Sequence, residues 1–269
     1  MTQSIFKDKV VVITGASSGI GQELAFQLAE QGAWLSLAAR TVERLESVKT
    51  ECERRGGKAI AISTDVSEQT QCENLIRQTV DRFTRIDMLV NNAGMTMFAN
   101  FEDVRDPSIF EKLMRVNYLG SVYCTYYALP YLKQTRGRLL GVSSLTGKTG
   151  VPTRTGYAAS KHAMAGFFDS LRIELAPQNV TVTMIYPGFV ATAVREQALG
   201  EDGQSVGRST VHESEVMPVE TCAQIILRAA ALRKREVVMT LRGKIGVWLK
   251  LMVPGLVDRI ARKAIRTGR

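Results

Sequence analysis

A tyrosine, a lysine and a serine in the second half of the sequence have the spacing of an acid–base site. Tyr157 and Lys161 are four residues apart, so on a helix their side chains share one face. A free phenol has a pKa of about 10, and a neighbouring cation favours the phenolate and lowers that pKa. Ser144 precedes Tyr157 by 13 residues and could hydrogen-bond a carbonyl oxygen beside the phenol. The trio predicts proton transfer at a polarised carbonyl, although a Tyr-x-x-x-Lys pair also arises by chance on helix surfaces.

A glycine-rich segment near the N-terminus could bind the phosphates of a dinucleotide. The segment Thr14-Gly15-Ala16-Ser17-Ser18-Gly19-Ile20-Gly21 follows an apolar run and precedes an amphipathic stretch. Glycines allow a sharp turn from strand to helix, and backbone N–H groups at a helix N-terminus bind pyrophosphate. The spacing Gly-x-x-x-Gly-x-Gly differs from the Gly-x-Gly-x-x-Gly fingerprint, so a tight turn without a ligand is the alternative.

The residues after the second apolar run bear on the choice between NAD and NADP. An acidic residue about 20 positions past the glycines binds the ribose 2′-hydroxyl of NAD, whereas an arginine accommodates the 2′-phosphate of NADP. Arg40 stands at this position, Arg44 follows one helical turn later, and residues 38–42 contain no carboxylate. The sequence therefore favours NADP(H), although a solvated arginine at a strand end is the alternative.

Short β-branched runs alternate with helical patterns and would position these residues. Apolar runs bounded by turn residues are typical of strands buried on both faces. We expect strands at Val10–Thr14, Trp34–Ala39, Ala59–Ser63, Met88–Asn91, Leu139–Ser143, Val180–Tyr186 and Val237–Thr240. Helical patterns cover 19–31, 42–55, 68–84, 107–133, 155–176 and 219–233. The alternation predicts one α/β domain with helices on both faces of a parallel sheet. Residues 191–217 are polar and do not fit the alternation, and a loop of this length is typical of a lid or a binding loop.

Six motifs, all in order, resemble the short-chain dehydrogenase/reductase family across residues 7–240. They are the segment from Thr14 to Gly21, Asn91-Asn92-Ala93-Gly94, Asn117, Ser144, Tyr157-Ala158-Ala159-Ser160-Lys161 and Pro187-Gly188. The resemblance implies a single Rossmann-like domain, doubly wound around a seven-stranded parallel sheet. It also implies the use of NAD or NADP to interconvert alcohols and carbonyl compounds.

The resemblance further implies a role for each matched residue. Tyr157 would exchange a proton with the substrate oxygen, and Ser144 would position that oxygen. Lys161 would bind the nicotinamide ribose and lower the Tyr157 pKa, while Asn117 would hold a water that links Lys161 to solvent. Other cofactor contacts would come from Asp65, Val66, Asn92, Ala93 and Gly94 near the adenosine, and from Pro187, Gly188, Val190 and Thr192 near the nicotinamide.

Apolar residues close to these motifs could form the substrate wall. They are Met95, Met97, Phe98, Leu145 and Phe189. Such a wall suits a lipophilic carbonyl compound or alcohol, although core packing accounts for the same residues.

The positive charge of the chain is concentrated at its C-terminal end. The net charge of the 269 residues is +9, and residues 241–269, with eight basic side chains and one acid, contribute +7. Nucleic-acid-binding proteins carry basic charge over a folded face, so the nearly balanced body argues against a nucleic-acid partner. The composition, 45% hydrophobic and 23% charged, is that of a globular chain and excludes disorder.

The basic tail, residues 241–269, has the pattern of an amphipathic helix. Residues 245–253 are largely apolar, Pro254-Gly255 interrupts them, and apolar residues then recur opposite Arg259, Arg262, Lys263 and Arg266. This pattern is typical of a helix lying in a membrane surface. The alternative is a helix that covers the substrate pocket or a subunit interface.

The cysteines and histidines argue against metal and disulfide chemistry. Cys52, Cys72, Cys124 and Cys222 are scattered, and the chain has only two histidines, so we expect neither a metal site nor a disulfide framework. No signal-peptide pattern and no apolar span long enough for a bilayer stand out. We therefore expect a cytoplasmic protein, with the tail as its one candidate membrane contact.

Two functions of different classes follow from these observations. The first is an NADP(H)-dependent oxidoreductase that interconverts an alcohol with a ketone or aldehyde on an apolar, lipid-, steroid- or retinoid-like molecule, acting as a homodimer or homotetramer. The second is a dinucleotide-binding sensor or scaffold without catalysis. The intact set of Ser144, Tyr157 and Lys161 favours the first.

Overall fold

Strands and helices alternate through most of the described residues. The computed structural model describes residues 4–192, 197–207 and 216–267, with side chains up to position 263. The strands are β1 (Val10–Thr14), β2 (Trp34–Ala39), β3 (Lys58–Ser63), β4 (Met88–Asn91), β5 (Arg138–Val142), β6 (Thr181–Tyr186) and β7 (Glu236–Val238). Within the described residues, the α-helices are α1 (Gly19–Glu30), α2 (Val42–Arg54), α3 (Gln69–Phe83), α4 (Ser108–Met114), α5 (Gly120–Thr135), α6 (Thr155–Leu175), α7 (Val219–Ala231), α8 (Leu241–Met252) and α9 (Pro254–Thr267).

The seven strands form one parallel sheet in the order β3-β2-β1-β4-β5-β6-β7. The chain builds the sheet outward in one direction from β1 and then, from β4 onward, in the other. Such a reversal leaves a crevice at the carboxyl ends of the two central strands, where ligands of doubly wound sheets bind. The expected seven-stranded, doubly wound, Rossmann-like domain is confirmed.

Helices cover both faces of the sheet and give it two hydrophobic cores. On one face α1, α2 and α7 bury residues such as Leu28 and Ile226. On the other face α3, α5 and α6 bury Leu132 and Phe168. Because both faces are covered, β1 is buried along its full length, which explains its uninterrupted apolar sequence.

The helical segment expected over 107–133 is confirmed, but it contains a π-helical turn. The structure has α4, then a π-helical turn at Arg115–Leu119, and then α5. Asn117 lies within this turn, and its side chain bonds the backbone of Met95 on both the N–H and the C=O. A π-turn widens the helix locally and is common at functional sites. This long-range contact leaves no trace in the local helical pattern.

Smaller differences occur at strand ends. The last strand ends at Val238 instead of Thr240, because the Thr240 hydroxyl accepts a hydrogen bond from Gly243 N–H at 3.0 Å and caps α8. β5 begins and ends one residue earlier than expected, yet Ser143 N–H still bonds the Ile185 carbonyl at 2.8 Å. These shifts leave Ser144 close to the carboxyl end of β5.

The described parts of the 191–217 loop pack over the carboxyl edge of the sheet; positions 193–196 and 208–215 lie outside the described residues. Leu199 forms an isolated bridge with Met97. The Leu199 N–H bonds the Thr96 carbonyl at 2.9 Å, and the Phe98 N–H bonds the Leu199 carbonyl at 2.8 Å. At the other end of the loop, Val190 bridges Met217. The loop is therefore anchored to the segment that follows β4.

The basic tail forms α8 and α9 beside the same edge. A methyl group on Gly243 of α8 would lie 2.7 Å from the Leu145 side chain, so α8 packs closely there. The Lys250 ammonium donates to the Lys148 carbonyl at 2.9 Å. In α9, Val257 is buried, whereas the side chains from 264 onward, including Ile265 and Arg266 of the expected stripes, lie outside the described residues. None of the described helices has the length and apolar character needed to cross a bilayer.

Candidate active site

A cavity of about 810 Å³ opens at the crevice between the two halves of the sheet. Its walls bring together nearly all of the residues that the sequence predicts for the site. They are Gly15, Ser17, Ser18, Gly19, Ile20, Arg40, Arg44, Asp65, Val66, Asn92, Ala93, Gly94, Ser144, Tyr157, Lys161, Pro187, Gly188, Val190 and Thr192. Gly21 and Asn117 are buried just behind this surface.

The glycine segment forms a tight turn that only small residues can occupy. Gly15 has a positive φ of 65°, and a methyl group on it would lie 2.9 Å from the Ala93 Cα. A methyl group on Gly21 would lie 2.3 Å from the Gly15 carbonyl oxygen. Helix α1 begins at Gly19 in the cavity wall. The first N–H groups of a helix have no partner within it and favour anions, so this turn suits a pyrophosphate.

Hydrogen bonds join this turn to the end of β4. The Thr14 hydroxyl accepts from the backbone N–H groups of Asn92 and Ala93, both at 3.0 Å. The Asn92 amide donates to the Thr14 carbonyl at 2.9 Å and to the Gly15 carbonyl at 3.3 Å. The side chain of Asn92 thus fixes the shape of the glycine turn, while its backbone belongs to the cavity wall.

The end of the cavity next to β2 and β3 carries the charged groups expected at an adenosine. Arg40 and Arg44 are exposed and reach the cavity surface from the end of β2 and the start of α2. The Asp65 carboxylate accepts from the Ser67 N–H at 2.9 Å and the Ser67 hydroxyl at 2.7 Å. The aspartate therefore fixes its own turn, and the arginines provide the positive charge at this end.

At the opposite end of the cavity, the segment after β6 faces the serine. The Pro187 carbonyl accepts from the Leu145 N–H at 3.0 Å, which ties this segment to the residue after Ser144. Thr192 packs against the glycine turn, since a methyl group on Gly19 would lie 3.0 Å from its side chain. Pro187, Gly188, Val190 and Thr192 therefore connect the two ends of the cavity.

Tyr157 projects from the first turn of α6 into the cavity wall. Burial raises the pKa of its phenol above the ordinary value, while the Ser144 hydroxyl, the Arg154 charge and the Thr146 hydroxyl each lower it. Ser144 Oγ accepts from the Thr146 N–H at 3.2 Å. A hydroxyl that accepts in this way keeps its own hydrogen to donate, so Ser144 and Tyr157 can both donate to one carbonyl oxygen.

Lys161 lies one turn further along α6 and is almost fully buried, at 3% exposure. Its ammonium is 5.9 Å from the centre of the Tyr157 ring and donates to the Val142 carbonyl at 2.9 Å. Burial lowers its pKa from 10.5 to about 8, because a low-dielectric surrounding disfavours the charged form. An ammonium has three donors, so two remain for a ligand.

Asn117 supports the site from behind. Its Oδ1 accepts from the Met95 N–H at 2.8 Å, and its Nδ2 donates to the Met95 carbonyl at 2.9 Å and to the Ser160 hydroxyl at 2.8 Å. A methyl group on Gly94 would lie 3.1 Å from Asn117 Oδ1 and 3.4 Å from the Lys161 ammonium. Asn117 therefore holds the β4 loop close to Lys161.

The apolar wall of the substrate half differs from expectation at one residue. Met95, Phe98, Leu145 and Phe189 line the cavity. Met97 does not, because it is fully buried in a small core that includes Ile109, Leu113 and Leu199. Met97 faces away from the cavity because it forms an isolated bridge with Leu199 and packs in that core.

Several cavity residues escaped the sequence reasoning. They include Thr146, Arg154, Gln197 and Ala261. Thr146 and Arg154 stand between Ser144 and Tyr157 in the sequence, and this proximity was the only signal that could have found them. Ala261 belongs to α9, so the tail reaches the edge of the cavity. Much of the apolar surface of the tail nevertheless faces outward.

Potential metal ligands are not clustered in the described parts of the chain: no group of three His, Cys, Asp or Glu side chains comes together there. All four cysteines are buried free thiols. The cavity therefore offers glycines, backbone N–H groups, hydroxyls and cations as its ligand-binding groups.

Comparisons with known proteins agree with this geometry. Residues 9–202 match the family model described as short chain dehydrogenase. The dehydrogenase/reductase SDR family protein 7-like of Dictyostelium discoideum is 35% identical over 267 residues, which cover 97% of this chain and 83% of that protein. The 11-beta-hydroxysteroid dehydrogenase-like 4A of Arabidopsis thaliana is 37% identical over 250 residues, or 93% of this chain and 82% of that protein. Among solved structures, the alcohol dehydrogenase from the archaeon Thermococcus sibiricus complexed with 5-hydroxy-NADP superposes with a TM-score of 0.74 and 28% identity, covering 86% of this chain and 95% of that chain.

The buried Lys161 predicts an unusual pH dependence of stability. Its pKa is about 8 in the folded protein and near 10.5 when unfolded, so between these values the unfolded chain binds more protons. Stability must then rise with pH. The free energy of unfolding of the cofactor-free wild type, relative to Lys161→Met, should increase by about 3 kcal/mol across this window. Urea denaturation across this pH range measures the difference in unfolding free energy between the wild type and Lys161→Met. Lys112→Met, which removes an exposed lysine, is the control. A difference that stays flat or falls as the pH rises would contradict the prediction.

Proposed function

The chain belongs to the short-chain dehydrogenase/reductase family, and we propose that it is an NADP(H)-dependent member acting on an apolar small molecule such as a lipid-, steroid- or retinoid-like alcohol or carbonyl compound. It is an oxidoreductase of CH–OH groups, as its family membership establishes. The observation that carries the proposal is the meeting of Ser144, Tyr157 and Lys161 with the glycine turn and two arginines in one cavity.

The residues of the cavity fit a nicotinamide dinucleotide. When bound, this cofactor supplies or accepts a hydride. The glycine turn and the start of α1 would hold its pyrophosphate, Asp65 and Val66 would contact its adenine, and Lys161 would bind its nicotinamide ribose. The backbone is packed closely around Gly15 and Gly21, where a methyl group has no room; only glycine allows the sharp turn there that leads into α1.

Arg40 and Arg44 support a preference for NADP(H). Both reach the cavity surface at the end where the 2′-phosphate of the adenosine ribose would lie, and a guanidinium binds a phosphate through two parallel hydrogen bonds. The only carboxylate among the described lining residues, Asp65, is engaged by Ser67. The archaeal neighbour was solved with an NADP derivative, which also supports this preference.

Tyr157 and Ser144 account for the proton side of the reaction. In the reductive direction, Tyr157 donates its proton to the carbonyl oxygen while Ser144 donates a hydrogen bond to the same atom. The negative charge that develops on that oxygen is stabilised by both donors. In the oxidative direction, the phenolate accepts the proton of the alcohol. Burial disfavours that phenolate, so nearby donors and cations must stabilise it.

Lys161 and Asn117 would maintain the protonation of Tyr157. The Lys161 pKa of about 8 allows it to exchange protons near neutral pH. Asn117 keeps the Gly94–Met95 backbone beside it. Lys161 would exchange protons with Tyr157, and a water held by Asn117 would link Lys161 to solvent.

The substrate half of the cavity supports an apolar substrate. Met95, Phe98, Leu145 and Phe189 line it, and apolar side chains of this size bury hydrocarbon or ring surface. Several relatives are described as 11-beta-hydroxysteroid dehydrogenases, which act on this general class according to their names.

The basic tail supports contact with an anionic membrane surface. On α8, Trp248, Leu251 and Met252 are 72%, 72% and 79% exposed, and basic residues accompany them along residues 241–269. Exposed apolar surface next to a cluster of cations matches the acyl chains and headgroups of an anionic bilayer. The tail also borders the cavity through Ala261, so an apolar substrate would enter from the membrane side.

Exposed residues on α5 and α6 support self-association. Tyr126 and Ile173 are 70% and 76% exposed, and large apolar side chains on helix faces are common at subunit contacts. A homodimer or homotetramer formed through these helices fits the proposal.

Replacing Tyr157 by Phe should abolish turnover without loss of the cofactor. The substitution removes only the hydroxyl, so carbonyl reduction with NADPH should fall by about a thousandfold or more. The dissociation constant of NADPH, measured by fluorescence titration, should change by less than about threefold, since a single hydroxyl contributes little to it. Retained turnover in Tyr157→Phe would show that another group carries the proton.

Substituting Arg40 by Asp should reverse the cofactor preference. The wild type should bind NADPH at least about tenfold more tightly than NADH, and Arg40→Asp should favour NADH because a carboxylate binds the 2′-hydroxyl and repels the phosphate. Arg40→Gln is the matched control, which should weaken the binding of NADPH without strengthening the binding of NADH. Equal affinities of the wild type for both cofactors would rule out a role of Arg40 in selecting NADPH.

Membrane contact can be measured by co-sedimentation with vesicles. The wild type should pellet with vesicles containing phosphatidylserine more than with pure phosphatidylcholine, and high salt should release part of it. The triple variant Trp248→Ser/Leu251→Ser/Met252→Ser should remain in the supernatant. Leu232→Ser changes an apolar residue exposed outside the tail and should pellet like the wild type. Equal pelleting of wild type and triple variant would argue for a tail that only covers the pocket.

A further inference from the structure

Thr153, in the wall of the cavity, has a backbone conformation that favours glycine. It precedes Tyr157 by four residues, is half-buried and lines the cavity. Its φ is 67°, in the left-handed region that β-branched residues rarely adopt. The Arg154 N–H bonds the Val151 carbonyl at 3.3 Å, so residues 151–154 form a turn with proline second and threonine third. This is the pattern of a type II turn, whose third residue is usually glycine.

The other described non-glycine residues with a positive φ lie at turns away from the cavity. They are Asp8, Thr84, Arg136, Asn179 and Arg233. The last four follow helices or a 3-10 turn, where a left-handed residue commonly ends the helical hydrogen bonding. Asp8 lies in the turn before β1. None of the five lines the cavity, so the position of Thr153 in the cavity wall needs its own explanation.

Thr84 is the closest counterpart, because it is also a threonine with a φ of 64°. Its hydroxyl donates to the Phe83 carbonyl at 2.6 Å, so its side chain is used locally. Among the described residues, no group of the chain bonds the hydroxyl of Thr153. A hydroxyl has one donor and two acceptor sites, and at Thr153 these are left for a ligand of the cavity.

The surroundings of Thr153 make that hydroxyl selective. The Thr153 carbonyl accepts from the Ala99 N–H at 3.0 Å, which ties the turn to the segment after β4. Apolar side chains such as Phe98 and Phe189 line the same half of the cavity. A substrate oxygen buried among them without a partner would cost free energy, and a wholly apolar substrate would leave the hydroxyl of Thr153 unpaired. A site that bonds a substrate hydroxyl rejects the analogue that lacks it.

We propose that Thr153 is a specificity-determining residue that recognises a second oxygen, a hydroxyl, on an otherwise apolar substrate. The substrates are then hydroxy-ketones and the corresponding diols, with the reacting oxygen at Ser144 and Tyr157 and the second hydroxyl at Thr153. Four residues of chain span at most about 14 Å, so one small molecule can reach both positions. This inference rests on the proposed function of the site and narrows its substrate class.

The test compares three ketones built on one fused-ring skeleton: 2-decalone, 6-hydroxy-2-decalone and 6-methyl-2-decalone. The hydroxyl and the methyl group are similar in size, so the last two ketones differ in polarity. In each reaction NADPH is oxidised to NADP⁺, its hydride goes to the carbonyl carbon, and a proton goes to the oxygen. We expect kcat/KM of the wild type to be about tenfold higher or more for the hydroxy-ketone than for the methyl-ketone.

Variants that keep or remove the hydroxyl identify its role. Thr153→Val has nearly the same shape without the hydroxyl and should lose the preference, mainly through KM. Its kcat/KM for the methyl-ketone should change by less than about threefold. Thr153→Ser keeps the hydroxyl and should retain most of the preference. Thr84→Val makes the same change outside the cavity and should retain the wild-type preference in full.

Glycine variants separate recognition from backbone strain. Thr153→Gly and Thr84→Gly should both melt at or above the wild-type temperature, because glycine adopts a positive φ without strain. Only Thr153→Gly should lose the preference for the hydroxy-ketone. A clear fall in the melting temperature of Thr153→Gly would show that the side chain is held for packing. That result, a preference that persists in Thr153→Val, or an equal loss on all three ketones would overturn the inference.

A binding measurement makes the result independent of turnover. The NADPH complex of the wild type, titrated calorimetrically, should bind decalin-2,6-diol more tightly than 6-methyl-2-decalol, and Thr153→Val should abolish the difference. Selective binding without turnover of any ketone would contradict the proposed function but leave the Thr153 site standing. Turnover without preference for the hydroxy-ketone would overturn the inference and leave the proposed function standing.

Discussion

The hydrogen bonds between the end of β1 and the end of β4 are the constraint on which the site depends. The sheet reverses its direction of growth between these two strands, so their ends open a crevice and would separate without a link. The Thr14 hydroxyl and the Asn92 amide provide that link across nearly eighty residues of sequence. They hold the glycine turn on one side and the Ala93–Gly94 backbone on the other. Every cofactor contact that we propose depends on the relative position of the glycine turn and the Ala93–Gly94 backbone.

Burial controls the chemistry of the acid–base pair. It raises the pKa of Tyr157 and lowers that of Lys161, so both side chains are driven toward their neutral forms. In the reaction that we propose, Tyr157 gives up a proton, and this requires the opposite tendency. Neighbouring donors and cations, above all Ser144 and Arg154, counteract the burial. Tyr157 and Lys161 therefore belong to a small network of interacting groups and are not an isolated pair.

Two features of the cavity wall connect chemistry with substrate choice. Apolar side chains such as Met95 and Phe189 line the substrate half, and α9 brings Ala261 to the same cavity from the basic tail. In the membrane contact that we propose, the exposed apolar residues of α8 would lie against the bilayer, next to the cavity entrance that Ala261 borders.

The sequence by itself determined the fold and most of the site, because both are encoded by local patterns and motifs. The apolar run of Val10–Thr14 specified a strand buried on both faces, the glycines after it specified the turn, and the four-residue spacing of Tyr157 and Lys161 put them on one face of α6. Only the tertiary structure decided what depends on contacts between distant segments. It decided the π-turn at Asn117, whose side chain hydrogen-bonds the Met95 backbone, and the packing of the Met97 side chain against Leu199. It also placed Arg154 against the rings of Phe98 and Phe189. The tertiary fold decides which distant loops surround a side chain, and a local sequence pattern holds no information about those loops.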